Sequence, residues 1–539
     1  MADADTARLC VQIVHTHFGP LTAKIVSLLL TRGRLNLSQL VRFSSLKPRS
    51  VRAAIIALVQ HNILWHAQTE EEGEVLEVNV DECLMRLRFG RFVWQADQLF
   101  GKAAAQIVQL ILDNAPDIIS HCSSYDPKAA SSYSQALFKL VSSSYLKPST
   151  ILAHQSPRDK RIKYEAEERA KISGLPTAKE LRQMKETAEA RLKREEQEAE
   201  QVGLKRQAVQ QTGHKSSTKR KAVDEDVVDG AVFFRVNYER FGIHIRNQLI
   251  VTAVRERFND SAAAVMKAAL KATESKQMNV SEPRSDPISL ANISMEILDD
   301  EDLTAGLYLP SSQKKPSTMS LIKDYVGLLA CADNPTPIGR ATSFVSFGGS
   351  KVQVEFEIIC RRLQRRVLEA VTRERHGDDG VRILRLLLDS GKIDEKQISK
   401  IAMMAAKDLR PLLSALSTDA LISLQEVPRS ADRNPTRTFY LWYVDLTKTY
   451  SVLLGYLYKT LFNISMRRRA EEEEPGVQAV LVKRERSDVS QDEGLLTRVE
   501  REILQEWESK REKSTVLEMR VEEAVFILRD LGVLGINDD

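Results

Sequence analysis

Glycine and proline are both scarce in this 539-residue chain, at 23 and 17 residues, against roughly 7% and 5% in average proteins. That shortage leaves little for turn-rich folds and implies that the bulk of the chain is helical. The five cysteines, Cys10, Cys83, Cys122, Cys331 and Cys360, lie far apart in sequence, with no C-x-x-C pair and no histidine at zinc-finger spacing. Neither a disulfide framework nor a structural zinc site is supported. Long apolar runs are also missing: stretches such as 25–30 fall far short of the ~18–20 residues that span a bilayer. The N-terminus is acidic and no apolar signal core follows it, so a soluble protein of a reducing intracellular compartment, without a membrane partner, is expected. No sign of charge dominates, since 78 Lys and Arg face 74 Asp and Glu for a net of +4. A histone-like polycation is excluded, and any basic function must be local. Enzyme signatures are absent as well: there is no phosphate-binding loop, no G-x-S-x-G, no H-E-x-x-H and no polymerase-type aspartate triad. No cofactor is expected.

What is present is a recurring order of short amphipathic helices followed by a β-hairpin, in a chain long enough for about three to five modules. In 1–81, three helices lead to Lys47-Pro48-Arg49, where proline opens a helix with Val51, Ile55 and Leu58 on one face, and two strands follow at 63–66 and 75–78. His61 at the end of that helix suits a cation meeting the helix dipole. The order repeats less clearly in 82–157. Segment 158–230 changes character: between 158 and 223 there are 18 Lys and Arg against 11 Asp and Glu and few large apolar residues. It is read as a charged, partly disordered linker with one mobile helix, carrying a basic cluster at 219–221 that suits either a nuclear address or a solvated linker. A third module spans 231–353 with an insertion at 278–315, and its hairpin turns at Gly348-Gly349. A fourth spans 354–444: Asp394 caps a helix, Pro411 falls in the first turn of the next, and strands at 421–427 and 438–444 form the clearest hairpin. In 445–539, Leu446, Tyr450, Leu453 and Leu457 are spaced 4, 3, 4, and Leu517, Val521, Ala524, Leu528 and Leu531 are spaced 4, 3, 4, 3. Both spacings suit a coiled-coil seam. The fold class is therefore mainly α with small β-wings: four tandem extended winged-helix domains plus a C-terminal coiled coil or helical hairpin.

Three stretches carry a family resemblance: Leu58-Val59-Gln60-His61-Asn62; Asn237-Tyr238-Glu239-Arg240-Phe241 with the helix after it; and Val427-Pro428-Arg429 through Thr438-Phe439-Tyr440-Leu441. With this layout the chain resembles the large winged-helix subunit of the peripheral initiation heterotrimer of RNA polymerase III, in its fungal type. The resemblance implies a nuclear subunit without catalytic residues of its own. It implies docking on the clamp of the largest subunit, two smaller heterotrimer partners, contact with DNA near the transcription bubble and with initiation factors, and a role in initiation and promoter opening. The fold alone equally permits a freestanding winged-helix regulator or general initiation factor.

Phosphate contact from a winged helix needs Lys or Arg on the third helix or the wing. Candidate DNA-proximal residues are Lys47, Arg49 and Arg52 in the first module, Lys314 and Lys315 before the third helix of the third, and Arg429, Arg433 and Arg437 in the fourth wing. Glu70, Glu71 and Glu72 in the first wing would repel phosphate, which leaves protein docking as the alternative for that domain. Arg86, Arg88 and Arg91 with Phe89, Phe92 and Trp94 could stack on single strands or pack in a helix interface. The nine seam residues of 445–539 are the candidate protein-docking surface.

Overall fold

The computed structural model describes residues 3–69, 73–114, 130–171, 177–200, 204–208, 224–228, 232–297, 303–304, 306, 317–331, 342–348, 351–429, 438–486, 489 and 496–531. The chain forms two compact units, Met1–Gly242 and Ile243–Asp539. Three small sheets share one topology, in which a two-residue strand pairs with the second strand of a hairpin. They are Leu35–Asn36 with Gly73–Val78 and Leu64–Thr69, Ile288–Ser289 with Lys351–Val354 and Val345–Gly348, and Ile393–Asp394 with Thr438–Tyr443 and Ser423–Pro428. In all three, the second residue of the short strand also caps the helix that follows. The Asn36 side chain accepts from the N–H of Gln39, Ser289 from Asn292 and Asp394 from Glu395, each satisfying a donor the helix leaves open.

A second device recurs four times. Each helix that precedes a wing ends at or just before a left-handed residue, at Asn62 (φ 56°), Ser144 (φ 60°), Cys331 (φ 50°) and Ala420 (φ 56°). The next N–H returns to a carbonyl five residues back, at 2.9 Å for Ile63 to Leu58, 2.9 Å for Tyr145 to Leu140 and 3.0 Å for Leu421 to Leu416. This is the helix-ending pattern usually built on glycine. Ile63, Tyr145 and Leu421 then enter the core, at 0%, 3% and 0% exposure.

The second wing closes differently from the sequence reading. Leu146–Pro148 pairs antiparallel with Phe234–Val236, a segment assigned above to the third module. The Asn237 side chain donates to the carbonyl of Ser144 at 2.7 Å, and its backbone N–H to that of Tyr145 at 2.9 Å. Tyr238 stacks on Phe89 and Phe92, while Phe241, fully buried, meets Phe92 and Tyr145. The charged segment is thus an insertion between two strands of one wing. It also holds more order than its composition implied. Helices Pro157–Ala170 and Ala178–Glu200 lie together, burying Tyr164, Met184 and Ala188. Arg191 covers the Tyr164 ring at 4.2 Å and donates to Glu167 at 2.7 Å, so a few apolar contacts supplemented by ion pairs align two helices that are mostly charged. Leu204–Ala208 pairs with Asp224–Val228. The basic cluster at 219–221 lies outside the described residues.

In the second unit the 278–315 stretch is only partly an insertion, because it contains the strand Ile288–Ser289 and the helix Leu290–Glu296. Its start is pinned by Arg246, fully buried, which lies 3.7 Å from the Phe356 ring and donates to the carbonyl of Val280 at 2.8 Å and to Gln277 at 2.7 Å. The helix Phe356–Ser390 breaks at Gly377, whose φ of 71° suits glycine alone. Helix Ala406–Thr418 begins earlier than expected, so Pro411 sits beyond its first turn, on the exposed side. The last winged helix is completed from downstream: Tyr450 and Leu453 of Leu446–Glu472 and Leu528 of Arg498–Arg529 join Leu384, Leu409, Leu413 and Leu421 in one cluster. A separate cluster of Val477, Val480, Leu496, Leu504 and Trp507 packs the start of the last helix. There Thr497 and Glu500 form a capping box, and Lys483, reaching Glu500 at 2.7 Å, with Thr497 holds that carboxyl down at about 2.

In the first unit Cys10 and Cys83, distant in sequence, meet in the core as free thiols. The hydrogen bond between them and their burial push Cys83 well above the usual thiol range. His61 ends its helix as expected but not as a cation. Burial, with the charges of Arg86 and His17 beside it, lowers it from 6.5 to about 4. The unfolded chain therefore binds the proton more readily than the folded one, and His61 contributes stability that is complete above about pH 6.5 and is lost as pH falls toward 4. The urea midpoint of the chain should fall between pH 7 and pH 5, and by less in a His61→Gln variant. Identical pH profiles for the two proteins would contradict this assignment.

Candidate nucleic-acid and docking surfaces

The helix Pro48–Gln60 buries Val51, Ala54 and Leu58. Helical spacing puts Arg49, Arg52 and Ile56 on the opposite side, and all three, with Lys47 at the N-cap, are exposed, Ile56 at 59%. None of the three cations meets a carboxylate among the described residues. A cationic stripe therefore faces outward from the helix that this fold offers to a groove. The tip of the adjoining wing, with Glu70, Glu71 and Glu72, lies outside the described residues. Further down the wing, Glu77 accepts from Arg34 at 2.6 Å, and the same guanidinium reaches Asp159 of the inserted helix at 2.9 Å. This three-member bridge ties the first wing to the insertion, with Arg34 reaching Asp159 across 125 residues of sequence. No local pattern announces it, and the sequence reading missed it.

In the fourth wing Arg429 is exposed and lies 4.2 Å from the ring of Phe439, itself 44% exposed. Its proposed companions Arg433 and Arg437 lie outside the described residues, as do Lys314 and Lys315. Lys392 covers Tyr443 in the same way at 5.2 Å, so the described part of this wing pairs cations with aromatic faces. On the third helix of this domain Arg410 is engaged by Glu395 at 2.7 Å.

The seam residues separate into two groups. Tyr450, Leu453, Leu528 and Leu531 are buried in the chain's own interior and Leu457 packs beside them, while Val521 and Ala524 are half-buried. Tyr450, Leu453, Leu457 and Leu528 hold the two long helices to the fourth domain and are covered by the chain itself. Leu446 and Leu517 are exposed at 42% and 49%. Leu446 opens its helix, one turn before the buried face begins. Leu517 lies where the partner helix supplies Arg468, which pairs with Glu518, so this part of the helix pair is polar. With Leu517, Val516 and Met519, at 48% and 52%, are exposed as well, so three apolar side chains are spread over the outward half of this turn.

The basic and aromatic stretch of the second domain is interior. Arg86, Arg88 and Phe92 are 7%, 5% and 1% exposed, and only Trp94, at 53%, is substantially outside. Packing against Tyr238 and Phe241 consumes this surface, which the sequence alone could not decide. Among the described residues no group of three His, Cys, Asp or Glu could hold a metal, and no helix is long and apolar enough to cross a membrane.

Comparison with known proteins matches three parts of the chain to models of one family. Residues 8–68 match the helix-turn-helix domain of RNA polymerase III subunit RPC82, 135–339 match RNA polymerase III subunit RPC82, and 368–444 match the C-terminal winged-helix domain of POLR3C. Similar proteins run the full length. The DNA-directed RNA polymerase III subunit rpc3 of Aspergillus niger is 26% identical, covering 98% of this chain and 100% of that one. The RPC3 subunit of Bos taurus is 26% identical over 97% of each, and that of Danio rerio 26% identical over 97% of this chain and 98% of its own. End-to-end similarity to polymerase III subunits, on a scaffold of repeated winged helices, places this chain in the RPC3/RPC82 family of RNA polymerase III subunits.

Proposed function

We propose that the chain is a noncatalytic, DNA-proximal scaffold of nuclear RNA polymerase III. In this reading it docks on the clamp of the largest subunit with two smaller subunits and supports initiation and promoter opening in the synthesis of small RNAs such as tRNA and 5S rRNA. The end-to-end match to relatives named as polymerase III subunits carries the reading. Two surfaces support it physically. The stripe of Lys47, Arg49 and Arg52 offers exposed positive charge of the kind that neutralises phosphates, and Val516, Leu517 and Met519 are exposed apolar side chains that a neighbouring subunit can cover.

An affinity-tagged chain should bring down the polymerase in stoichiometric amount. A tagged chain that leaves the polymerase behind while binding a promoter would make it a freestanding regulator. Removing 446–539 is not a clean test of docking, since it strips Tyr450, Leu453 and Leu528 from the fourth core. Leu517→Glu with Met519→Glu leaves that core intact and should weaken retention of the polymerase by about tenfold or more; full retention would remove these side chains from the docking surface. For DNA, replacing Lys47, Arg49 and Arg52 by Ala should leave assembly unchanged and reduce the slope of log K against log salt by up to ~2.7, about 0.9 for each phosphate no longer neutralised. An unchanged slope would show the stripe to be merely solvated.

A further inference from the structure

We propose that a recess in the first unit receives the carboxylate of an acidic side chain from a partner polypeptide, with Arg86 as the residue that holds it. The recess, about 290 Å³, opens between the end of helix Pro48–Gln60, the turn at Arg86 and the strand Phe234–Val236. Arg86 is 7% exposed and lies 4.5 Å from the Phe18 ring and 5.2 Å from the Phe89 ring. Those contacts occupy guanidinium faces and leave the donor edges. Among the described residues no side chain or carbonyl accepts a hydrogen bond from it, and its Nε is buried without a partner. The one carboxyl in the lining, Glu82, accepts a hydrogen bond from the Tyr238 hydroxyl. Asn62 and His154 line the same recess, and Asn62 Oδ1 and His154 Nδ1 are likewise buried without partners. More than nine in ten buried polar groups are satisfied in folded proteins, and of these atoms the Arg86 Nε–H, with His154 in its Nδ1–H tautomer, calls for an acceptor, while Asn62 offers donors to one once its amide is turned.

The charge of the lining selects the class of ligand. Arg86 and the exposed Arg235 line the recess with the one carboxyl of Glu82, which burial pushes up, and burial lowers both His61 and His154, so the lining favours an anion. A carboxylate meets that preference and can accept two parallel N–H bonds from a guanidinium. A phosphodiester carries the same charge but arrives flanked by sugars on both sides, which a recess of this size does not admit. Phe233, 51% exposed, and Leu112 form an apolar wall beside the cation, suited to an acidic residue with an apolar neighbour.

The partner is taken to be a subunit of the assembly proposed above, so the inference rests on that reading. The test replaces Phe233 with benzoylphenylalanine in the full-length tagged chain, purifies the complex, crosslinks it with light and maps the product by mass spectrometry. An eluate without polymerase fails the assembly reading and takes this proposal with it; polymerase present without a crosslink fails this proposal alone. The expected result is a crosslink to another subunit within two residues of an Asp or Glu. Its yield should fall at least about tenfold in Arg86→Met, and as far when the acidic residue becomes Asn or Gln, with no further fall when both are changed. Should Arg86→Met misfold by circular dichroism, the exposed Arg235→Ala must lower the yield instead. A crosslink to nucleic acid or to this chain itself, or a yield indifferent to the available variant, overturns the proposal.

Discussion

A winged helix on its own buries too little to be secure: a ~60-residue domain hides only about 60% of the surface its unfolded chain exposes. This chain meets that constraint by finishing small domains with segments from far along the sequence. The second wing is closed by Phe234–Val236, across the whole charged insertion, and the fourth core is closed by Tyr450, Leu453 and Leu528 of the two long helices. Arg34 ties the first wing to the insertion through Glu77 and Asp159. Because those closures are long-range, parts that look like linker and stalk belong to the domains they connect.

This explains what the sequence disclosed and what it hid. Elements set by local chemistry were legible: Pro48 opening its helix, Asp394 capping another, and the hairpin around Gly348. The left-handed turns at Asn62, Ser144, Cys331 and Ala420 were not, because none is glycine; at Asn62, Ser144 and Ala420 the conformation is imposed by the buried residue that follows. The Asn237–Phe241 motif was read as a family mark, and its role as the lid of the second domain needed the pairing of 146–148 with 234–236 to emerge. The seam spacing was correct as a helical period and incomplete as a statement of what each position faces. The period places Leu517 and Leu528 on one stripe, but only Leu528 has a core opposite it. Of the candidate DNA-proximal residues, Lys47, Arg49, Arg52 and Arg429 are described and exposed, which the charge pattern alone did not guarantee.

The near-neutral total of +4 also acquires a physical form. Many arginines are spent on internal pairs, as Arg365 with Glu369 and Asp389, Arg385 with Glu369, and Arg373 with Asp378. Pairs this exposed add little stability, but they leave few regions of uncompensated charge. The outward stripe of the first domain and the inward recess at Arg86 are two such regions, and they differ in kind. One is open to water and suited to a long anionic surface, the other is enclosed and suited to a single anionic group.

Long-range closure turns the C-terminal helices inward at one end, and the exposed side chains at 516–519 are the part proposed for a neighbour. Hydrogen–deuterium exchange of the chain alone and within the purified polymerase tests this arrangement most directly. Amides around 450–453 are expected to be strongly protected in both states, while those around 511–520 gain protection only in the assembly. Fast exchange at 450–453 in the free chain, or no gain at 511–520 on assembly, would contradict it.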